Sequence, residues 1–404
     1  MKLCMISSFP PSENGLAIYT YRLCKALKEV MENIDIMVIG DLLKDRSIQD
    51  KITDFEVIRI LDKRSLIYPF KVFKVIAKFR PDIVHCQYEL WLYGRGIFSI
   101  MFIIMLIFLK ILRKPIIVTI HGVVLRSSIT STYLQRHCSS KHLVTLKRNY
   151  FTFLIKTIGE LSSKIIVHLN VIKKILIGDY GYHRHKVVVI PHGIDPPLMK
   201  INKYVARERL RLPQDKIILL CFGEIRRGKG LEYILEAISK LREKSHNILL
   251  LIIGPYNPKD SPESRGYLND LIVKIKRLKL EGNVDIRPYF IPEEEVYKFI
   301  ASSDAMLLLY EDIETIRAAG PLYRAATYNL PVIIRRSPMF LESIDYIKPS
   351  LIINYINTNT IVNIINDFLD FKEVKIKYKV LTWNEVAKKT LNLYLSLLKY
   401  SSIH

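Results

Sequence analysis

Three cations crowd one turn of this chain. In KIILLCFGEIRRGKGL (residues 216–231) an apolar run passes into a glycine-punctuated loop carrying Arg226, Arg227 and Lys229, and then into a helix-forming segment. A strand-to-helix turn of this kind aims backbone N–H groups and a cation at phosphate, because the first N–H groups of a helix lack partners and its dipole favours negative charge there. A diphosphate leaving group needs this combination, since its growing charge must be offset by fixed donors rather than by mobile water. A second junction follows in AMLLLYEDIETIRAAGPLYRAATYNLPVII (305–334), where Gly320, Pro321 and Leu322 open a helix between two apolar runs. Two such mouths in one half of the chain suggest a cradle for a charged, nucleotide-like ligand.

In the first half, SSFPPSENGLAIYTYRLCKAL sets Gly15 in a loop before an amphipathic helix that turns Leu16, Tyr19, Leu23 and Leu27 inward. Glycine there lets a ligand approach the backbone, and the helix start favours an anion; the same residue also serves as an ordinary turn. His121 and Gly122 end the apolar run KPIIVTIHG, so the imidazole emerges at the carboxyl edge of a sheet, where doubly wound folds keep their ligands. From there it can hydrogen-bond a hydroxyl or steady a developing charge, or it is a satisfied edge histidine. The pattern G-x-G-x-x-G is absent, which argues against a nicotinamide enzyme. No Asp-x-Asp closes a strand where it could hold a cation, so a magnesium-dependent leaving group is not supported.

Positioning such residues takes a particular scaffold. Apolar strand-like runs at 2–8, 35–39, 56–60, 82–86, 116–120, 164–168 and 187–190 alternate with helix-like segments, and the alternation resumes at 217–222, 248–253, 284–287, 305–309 and 332–335. That pattern predicts an α/β protein with parallel sheets covered by helices on both faces, in two consecutive Rossmann-like domains. Pro191, Gly193, Pro196 and Pro197 break both regular structures between them, so the expected division is 1–195, 196–380 and a terminal helix within 381–404. In that last segment Thr382 can cap a helix with Glu385, and Val386, Leu391, Leu393 and Leu397 continue an apolar stripe able to strap the two halves together.

Bulk properties narrow the partners. A chain of 404 residues, half hydrophobic and a quarter charged, is ordered and too long for one ordinary core. Its formal net charge of +22 favours anionic partners. The basic residues are dispersed, and no zinc finger, RNA-binding aromatic signature or basic-region helix accompanies them, which argues against nucleic acid. Cys4, Cys24, Cys86, Cys138 and Cys221 are scattered without metal-ligand spacing and read as reduced, buried thiols, hence a cytosolic protein. The apolar run at the N-terminus is too short for a signal peptide and reads as a first buried strand. Residues 97–109, IFSIMFIIMLIFL, reach about 20 Å as a helix, short of the roughly 30 Å of a membrane core. With Lys110, Arg113 and Lys114 behind it, the segment is either a buried crossover helix or one partly inserted in an anionic interface.

Taken in order, PPSENGLAIYTYRLCKAL, RPDIVHCQYELWLYG, KPIIVTIHGVV, KVVVIPHGID, FGEIRRGKGLEYILEAI and TWNEVAKKTLNLYL resemble the family-4 retaining glycosyltransferases over essentially the whole chain. The resemblance implies the GT-B fold, two Rossmann-like domains facing each other across a deep cleft. It also implies transfer of a sugar from a nucleotide-diphosphate donor, with retention and without a bound metal; the expectation is no metal and no cofactor, only a nucleotide-diphosphate sugar as substrate. It places the diphosphate near Arg226, Lys229 and the helix opening at Gly320, Pro321 and Leu322, with the base edge near Tyr289. Gly15 and His121 face it from the first domain, His121 touching the transferred sugar as the catalytic residue.

The chain departs from the family at two places. Glu224 follows the glycine of the basic turn where the family commonly has arginine, and Ile316 and Arg324 stand where it commonly has two glutamates. Neither a hydrophobe nor a cation accepts hydrogen bonds from sugar or ribose hydroxyls. The reversal of charge suggests exchanged roles, Arg324 on the diphosphate and Glu224 or Glu314 on the hydroxyls; the alternative is a donor read through backbone amides at Gly320 and Leu322. The acceptor expected is a glycan or a lipid-linked saccharide at the cytosolic face of a membrane, the apolar run and the positive charge being what invoke an anionic surface. Two other readings stand beside this one: a nucleotide-sugar epimerase of the same architecture, which needs an acid and base pair at the cleft, and a non-catalytic glycan- or lipid-binding homologue.

Overall fold

All of the strand-like apolar runs are strands in the computed structural model, which describes residues 1–43, 55–90, 92–138, 143–195, 201–243, 247–257, 264–311, 314–344, 347–348, 350–370, 377–378 and 380–401. In chain order they are β1 (Lys2–Ile6), β2 (Asp35–Asp41), β3 (Glu56–Leu61), β4 (Ile83–Tyr88), β5 (Ile116–Ile120), β6 (Gly122–Val124), β7 (Lys164–Val167), β8 (Val187–Val189), β9 (Ile217–Phe222), β10 (Ile248–Ile253), β11 (Val284–Arg287), β12 (Ala305–Leu308), β13 (Thr315–Arg317), β14 (Val332–Arg335), β15 (Ile347–Lys348), β16 (Ser350–Ile353) and β17 (Lys377–Tyr378). A seven-stranded parallel sheet has the order β3-β2-β1-β4-β5-β7-β8, and a six-stranded one the order β11-β10-β9-β12-β14-β16. Both orders reverse at the first strand of their half, between β1 and β4 and between β9 and β12. Crevices at the carboxyl ends of strands at such reversals are where open α/β sheets hold ligands.

Helices cover both faces of each sheet, which is why β4 and β10 are buried at every position and read as unbroken apolar runs. On one face of the first sheet, Tyr68, Val72 and Ile76 of the helix Tyr68–Phe79 share a core with Phe102, Met105, Leu106 and Leu109 of the helix Ile100–Ile111. The apolar segment at 97–109 is therefore a crossover helix with a buried face, preceded by a turn at Gly96–Ser99; Ile107 and Ile111 form its exposed edge. Among the described residues no helix is long and apolar enough to cross a membrane. Cys4, Cys24, Cys86 and Cys221 are buried thiols, while the side chain of Cys138, like Pro196 and Pro197, lies outside the described residues.

The C-terminal helix Trp383–Ser401 crosses back to the first half, where Val386, Ala387 and Tyr394 share the core of the opposite face with Leu23 and Leu27 of the helix Gly15–Val30. Its start is the reciprocal cap read from the sequence: Thr382 N donates to Glu385 Oε2 at 2.7 Å and Glu385 N to Thr382 Oγ1 at 3.3 Å. Tyr394 is fully buried, its hydroxyl 2.5 Å from Nδ1 of the equally buried His85, whose Nε2 meets Thr119 Oγ1 at 2.7 Å. Tyr394→Phe leaves that ring nitrogen without a partner, and we expect urea unfolding to report a loss of about 1–3 kcal/mol. An unchanged midpoint would show that the hydroxyl contributes nothing to docking of this helix.

One connection was not expected from the sequence. β6 leaves the first sheet immediately after His121 and pairs antiparallel with β13 from the second half, with Gly122 opposite Arg317, Val123 opposite Ile316 and Val124 opposite Thr315. Ile316 is buried and belongs to the core of the first half, alongside Val123 and Tyr180. Nearby, the carboxylate of Glu342 accepts hydrogen bonds from Asn170 N, Asn170 Nδ2 and Val171 N, so a side chain of the second half caps a helix of the first.

Candidate active site

Between the halves lies a cleft of ≈ 1130 Å³ lined from the first half by Gly15, Tyr19, Arg22, Glu89 and His121 and from the second by Glu224, Glu293, Arg317, Gly320 and Arg324. Gly15 is the first residue of its helix, capped by Asn14, whose Oδ1 accepts from Ala17 N at 2.9 Å. A Cβ on Gly15 would have no atom within 4 Å, so this backbone faces open cleft.

The loop of the basic turn is forced by its glycines. Gly230 has φ +71°, and a Cβ there would stand 2.3 Å from the Leu309 carbonyl, so only glycine lets the loop pass so close to the end of β12. This packing holds the Lys229 ammonium 3.7 Å from the centre of the Tyr310 ring. A Cβ on Gly223 would lie 4.0 Å from Lys229 Nζ and 3.6 Å from Pro321 Cγ, so both strand-to-helix mouths meet at Gly223. Lys229 lines a small recess there, separate from the main cleft but sharing Glu224 with it. Arg226 stays with its own loop, Nε 3.7 Å from Glu224 Oε2 and Nη1 donating to the Arg227 carbonyl at 3.0 Å. Arg227 turns to the neighbouring helix, pairing with Asp270 and stacking 4.8 Å from the Tyr267 ring.

The helix Gly320–Thr327 has no side-chain cap. Leu322 is buried, and its N–H already donates to the Ala319 carbonyl at 2.9 Å, so of the three residues that open the helix only Gly320 offers an uncommitted backbone toward the cleft. Arg324, one turn on, is a cleft residue, but its Nε and Nη2 donate to Glu293 Oε1 and Oε2 at 3.0 and 2.7 Å. Glu293 had no signal in the sequence beyond being the first acid of a helix that opens Glu-Glu-Glu. Glu314 sits half-buried just before β13 and Tyr289 is exposed after β11; neither lines the cleft.

Opposite, His121 reaches the cleft wall with Nε2 donating to Gln87 Oε1 at 2.8 Å and with Nδ1 turned to the neighbouring ring, 3.3 Å from His168 Nε2. His168 Nδ1 donates in turn to the Ile190 carbonyl at 2.9 Å. What the His121 side chain offers a ligand is therefore the carbon edge of a ring held in place by its neighbours. His121, His168 and His192 follow β5, β7 and β8, which are adjacent in the sheet, and Tyr19 packs among them at centroid distances of 4.6, 5.1 and 5.3 Å. His121 was legible as a strand-end histidine; the same rule, applied to each neighbouring strand, would have found its two companions.

These imidazoles are neutral. Burial pulls the pKa of His85 and His192 down to about 3 and that of His168 to about 4, and it holds His121 well below the usual value; repulsion from His168 adds in His85, His121 and His192. An unfolded histidine takes its proton near pH 6.5, so the unfolded chain binds protons first as the pH drops. The stabilisation is complete above that pH and is lost progressively toward pH 4, by up to about 1.4 kcal/mol per pH unit for each ring. Urea midpoints at pH 7.5 and 5.5 should differ accordingly, and equal midpoints would place charged or hydrated rings in the folded state.

The carboxyl of Asp195 in the cleft is pushed up by burial, despite Arg22 at 3.3 Å. Across the ribbon, Arg317 Nη1 pairs with Glu89 at 3.5 Å. Cations and acids are thus paired along the wall, which suits a ligand carrying both phosphate and hydroxyl groups.

Comparison with known proteins agrees with this geometry. The family model described as Glycosyltransferase Family 4 matches residues 13–197, and that described as Glycosyl transferases group 1 matches residues 202–379. An uncharacterized glycosyltransferase of Methanocaldococcus jannaschii is 23% identical over 98% of both chains. Among solved structures, sucrose-phosphate synthase from Thermosynechococcus elongatus superposes with a TM-score of 0.74 at 17% identity, covering 99% of this chain and 100% of that one. Anabaena HepE in complex with UDP-glucose gives a TM-score of 0.68 at 13% identity over the whole of both chains. With two parallel-sheet α/β domains meeting at such a cleft, the chain belongs to the GT-B glycosyltransferases, its first half of the Glycosyltransferase Family 4 type and its second of the glycosyl transferases group 1 type.

Proposed function

We propose that this glycosyltransferase takes its sugar from a nucleotide-diphosphate donor and passes it, with retention and without a metal, to a glycan or lipid-linked acceptor. One observation carries the donor assignment: the two strand-to-helix mouths of the second half converge at Gly223, bringing the Lys229 loop and the Gly320 helix start to one place beside the cleft. Lys229, Arg226 and the Gly320 end of the helix are the groups available to offset a diphosphate. Gly15 leaves room for the sugar on the opposite wall, and His121, fixed by Gln87 and His168, shapes the end of the pocket where the transferred ring would sit. The UDP-glucose complex of Anabaena HepE supports a donor of this class.

For the acceptor, support comes from the surface beside Lys63 and Arg64 of the cleft. Leu66, Ile67 and Phe70 are each at least half exposed there, and Lys71 and Lys74 alternate with them on the following helix. Apolar side chains interleaved with lysine suit an anionic membrane at whose cytosolic face a lipid-linked acceptor would be held.

A panel of nucleotide sugars tests the donor, because a ligand at a hundred times its Kd stabilises the folded state by about 2.7 kcal/mol. The cognate donor should raise the melting temperature, and its product, followed by proton NMR, should keep the anomeric configuration with a chelator present. Inversion would remove the retaining mechanism, loss of activity with chelator would remove metal independence, and conversion of donor without acceptor would favour the epimerase. Flotation with anionic vesicles at low salt tests the membrane part separately.

A further inference from the structure

Glu293 and Arg324 are both cleft residues, and they lie where the chain departs from its family. At position 316 the departure is irreversible in structural terms, since Ile316 is buried in the core of the first half. At position 324 the arginine forms a two-point fork on Glu293, at 3.0 and 2.7 Å, with its guanidinium 5.3 Å from the centre of the Phe222 ring. The remaining Nη1 lies 3.8 Å from where a Cβ on Gly320 would stand, on the side of the helix start. Each Glu293 oxygen accepts one hydrogen bond from the fork and keeps further lone pairs.

We propose that Glu293 is a specificity-determining residue which reads the vicinal hydroxyls of the donor's ribose, with Arg324 as the positioning residue that holds its carboxylate in the cleft. The inference rests on the nucleotide-sugar reading above. Arg324 turns Nη1 toward Gly320 and its Nε and Nη2 edge toward Glu293, so with a diphosphate at Gly320 the Glu293 carboxylate stands beyond it by the width of the guanidinium, on the side where the hydroxyls of its ribose could lie. A carboxylate so near a diphosphate would be repelled on its own, and Arg324 cancels its charge. Burial pushes the Glu293 carboxyl up, but the charge and hydrogen bonds of Arg324, with Arg22, hold it below the usual carboxylate range, so it is an acceptor at neutral pH. The chain would thus recover, from another helix, the acceptor that its family commonly carries at position 324, with the sign of that position reversed.

The test crosses the residue with the ligand group it is said to read. UDP, GDP and ADP are compared with their 2′,3′-dideoxy counterparts by titration calorimetry, on the full chain and on Glu293→Gln, which changes the side chain by one atom. The wild type should bind one ribonucleotide at least about 10-fold more tightly than its dideoxy form. Glu293→Gln should weaken the ribonucleotide by a similar factor and leave the dideoxy form unchanged, so that discrimination falls to within about twofold. Arg324→Lys, which keeps the charge and loses the fork, should fall between the two. If Glu293→Gln does not fold, Glu293→Asp carries the same comparison with the carboxylate withdrawn. A variant that binds and still discriminates as the wild type does overturns the role of Glu293 while leaving the donor reading intact. A wild type that binds none of the ribonucleotides overturns the donor reading, and this inference with it.

Discussion

Ile316→Glu should cost about 3–5 kcal/mol of unfolding free energy, although it restores the residue common in the family. Two effects compete. A carboxylate reaching donor hydroxyls would contribute about 1.5–3 kcal/mol of binding. At this position, however, the side chain is 1% exposed inside the core of the first half, where an unpaired charge has no partner and the ribbon backbone cannot turn it outward without losing its pairing to β6. The cost exceeds the gain, so the variant should be unstable and inactive together. Ile316→Val, at about 0.5–1.5 kcal/mol, controls for packing alone. Thermal unfolding of both reads the outcome, and a stable Ile316→Glu with improved donor affinity would mean that this residue faces the cleft.

Gly230→Ala should lower donor-dependent turnover about 100-fold while the protein stays folded. The left-handed backbone, φ +71°, costs a side chain about 1–2 kcal/mol, and the new Cβ would stand 2.3 Å from the Leu309 carbonyl. Backbone cannot yield cheaply on the β12 side, so the loop shifts and carries Lys229 with it. Misplacement of a positioning group by about 1 Å is enough for a hundredfold loss. Gly15→Ala is the contrast: nothing lies within 4 Å of its Cβ, so the fold should be unaffected and any loss should appear in KM rather than in melting temperature. Equal activity of Gly230→Ala and the parent would separate the Lys229 loop from the chemistry.

The central strands were legible because they are buried on both faces, as β4 and β10 are at every position, so that one local property, an unbroken apolar run, marks them. The reciprocal cap of Thr382 and Glu385 was legible for the same reason: its partners are three residues apart. What escaped is long-range. Thr315-Ile316-Arg317 looks like part of a loop, and only pairing with Gly122-Val123-Val124 makes it a strand. Glu293 looks like a solvated helix start until Arg324, from a helix 31 residues away, closes on it. Setting Ile316 and Arg324 against the family pattern leaves an acceptor to be found, and the sequence pointed to Glu224 and Glu314 for it. Glu224 does line the cleft, whereas Glu314 is placed outside it by the strand it precedes.

Because β6 and β13 join backbone to backbone, the two halves are riveted along one margin of the gap. Any opening that admits donor or releases product must swing about that margin, as covers turn about a spine, with the greatest travel at the free edge. His121 is the residue before β6, and Gly320 lies three beyond β13, so both ride on the spine. Their mutual spacing survives each swing, and the enzyme can breathe without taking apart the place where phosphate and sugar ends of the donor would be fixed.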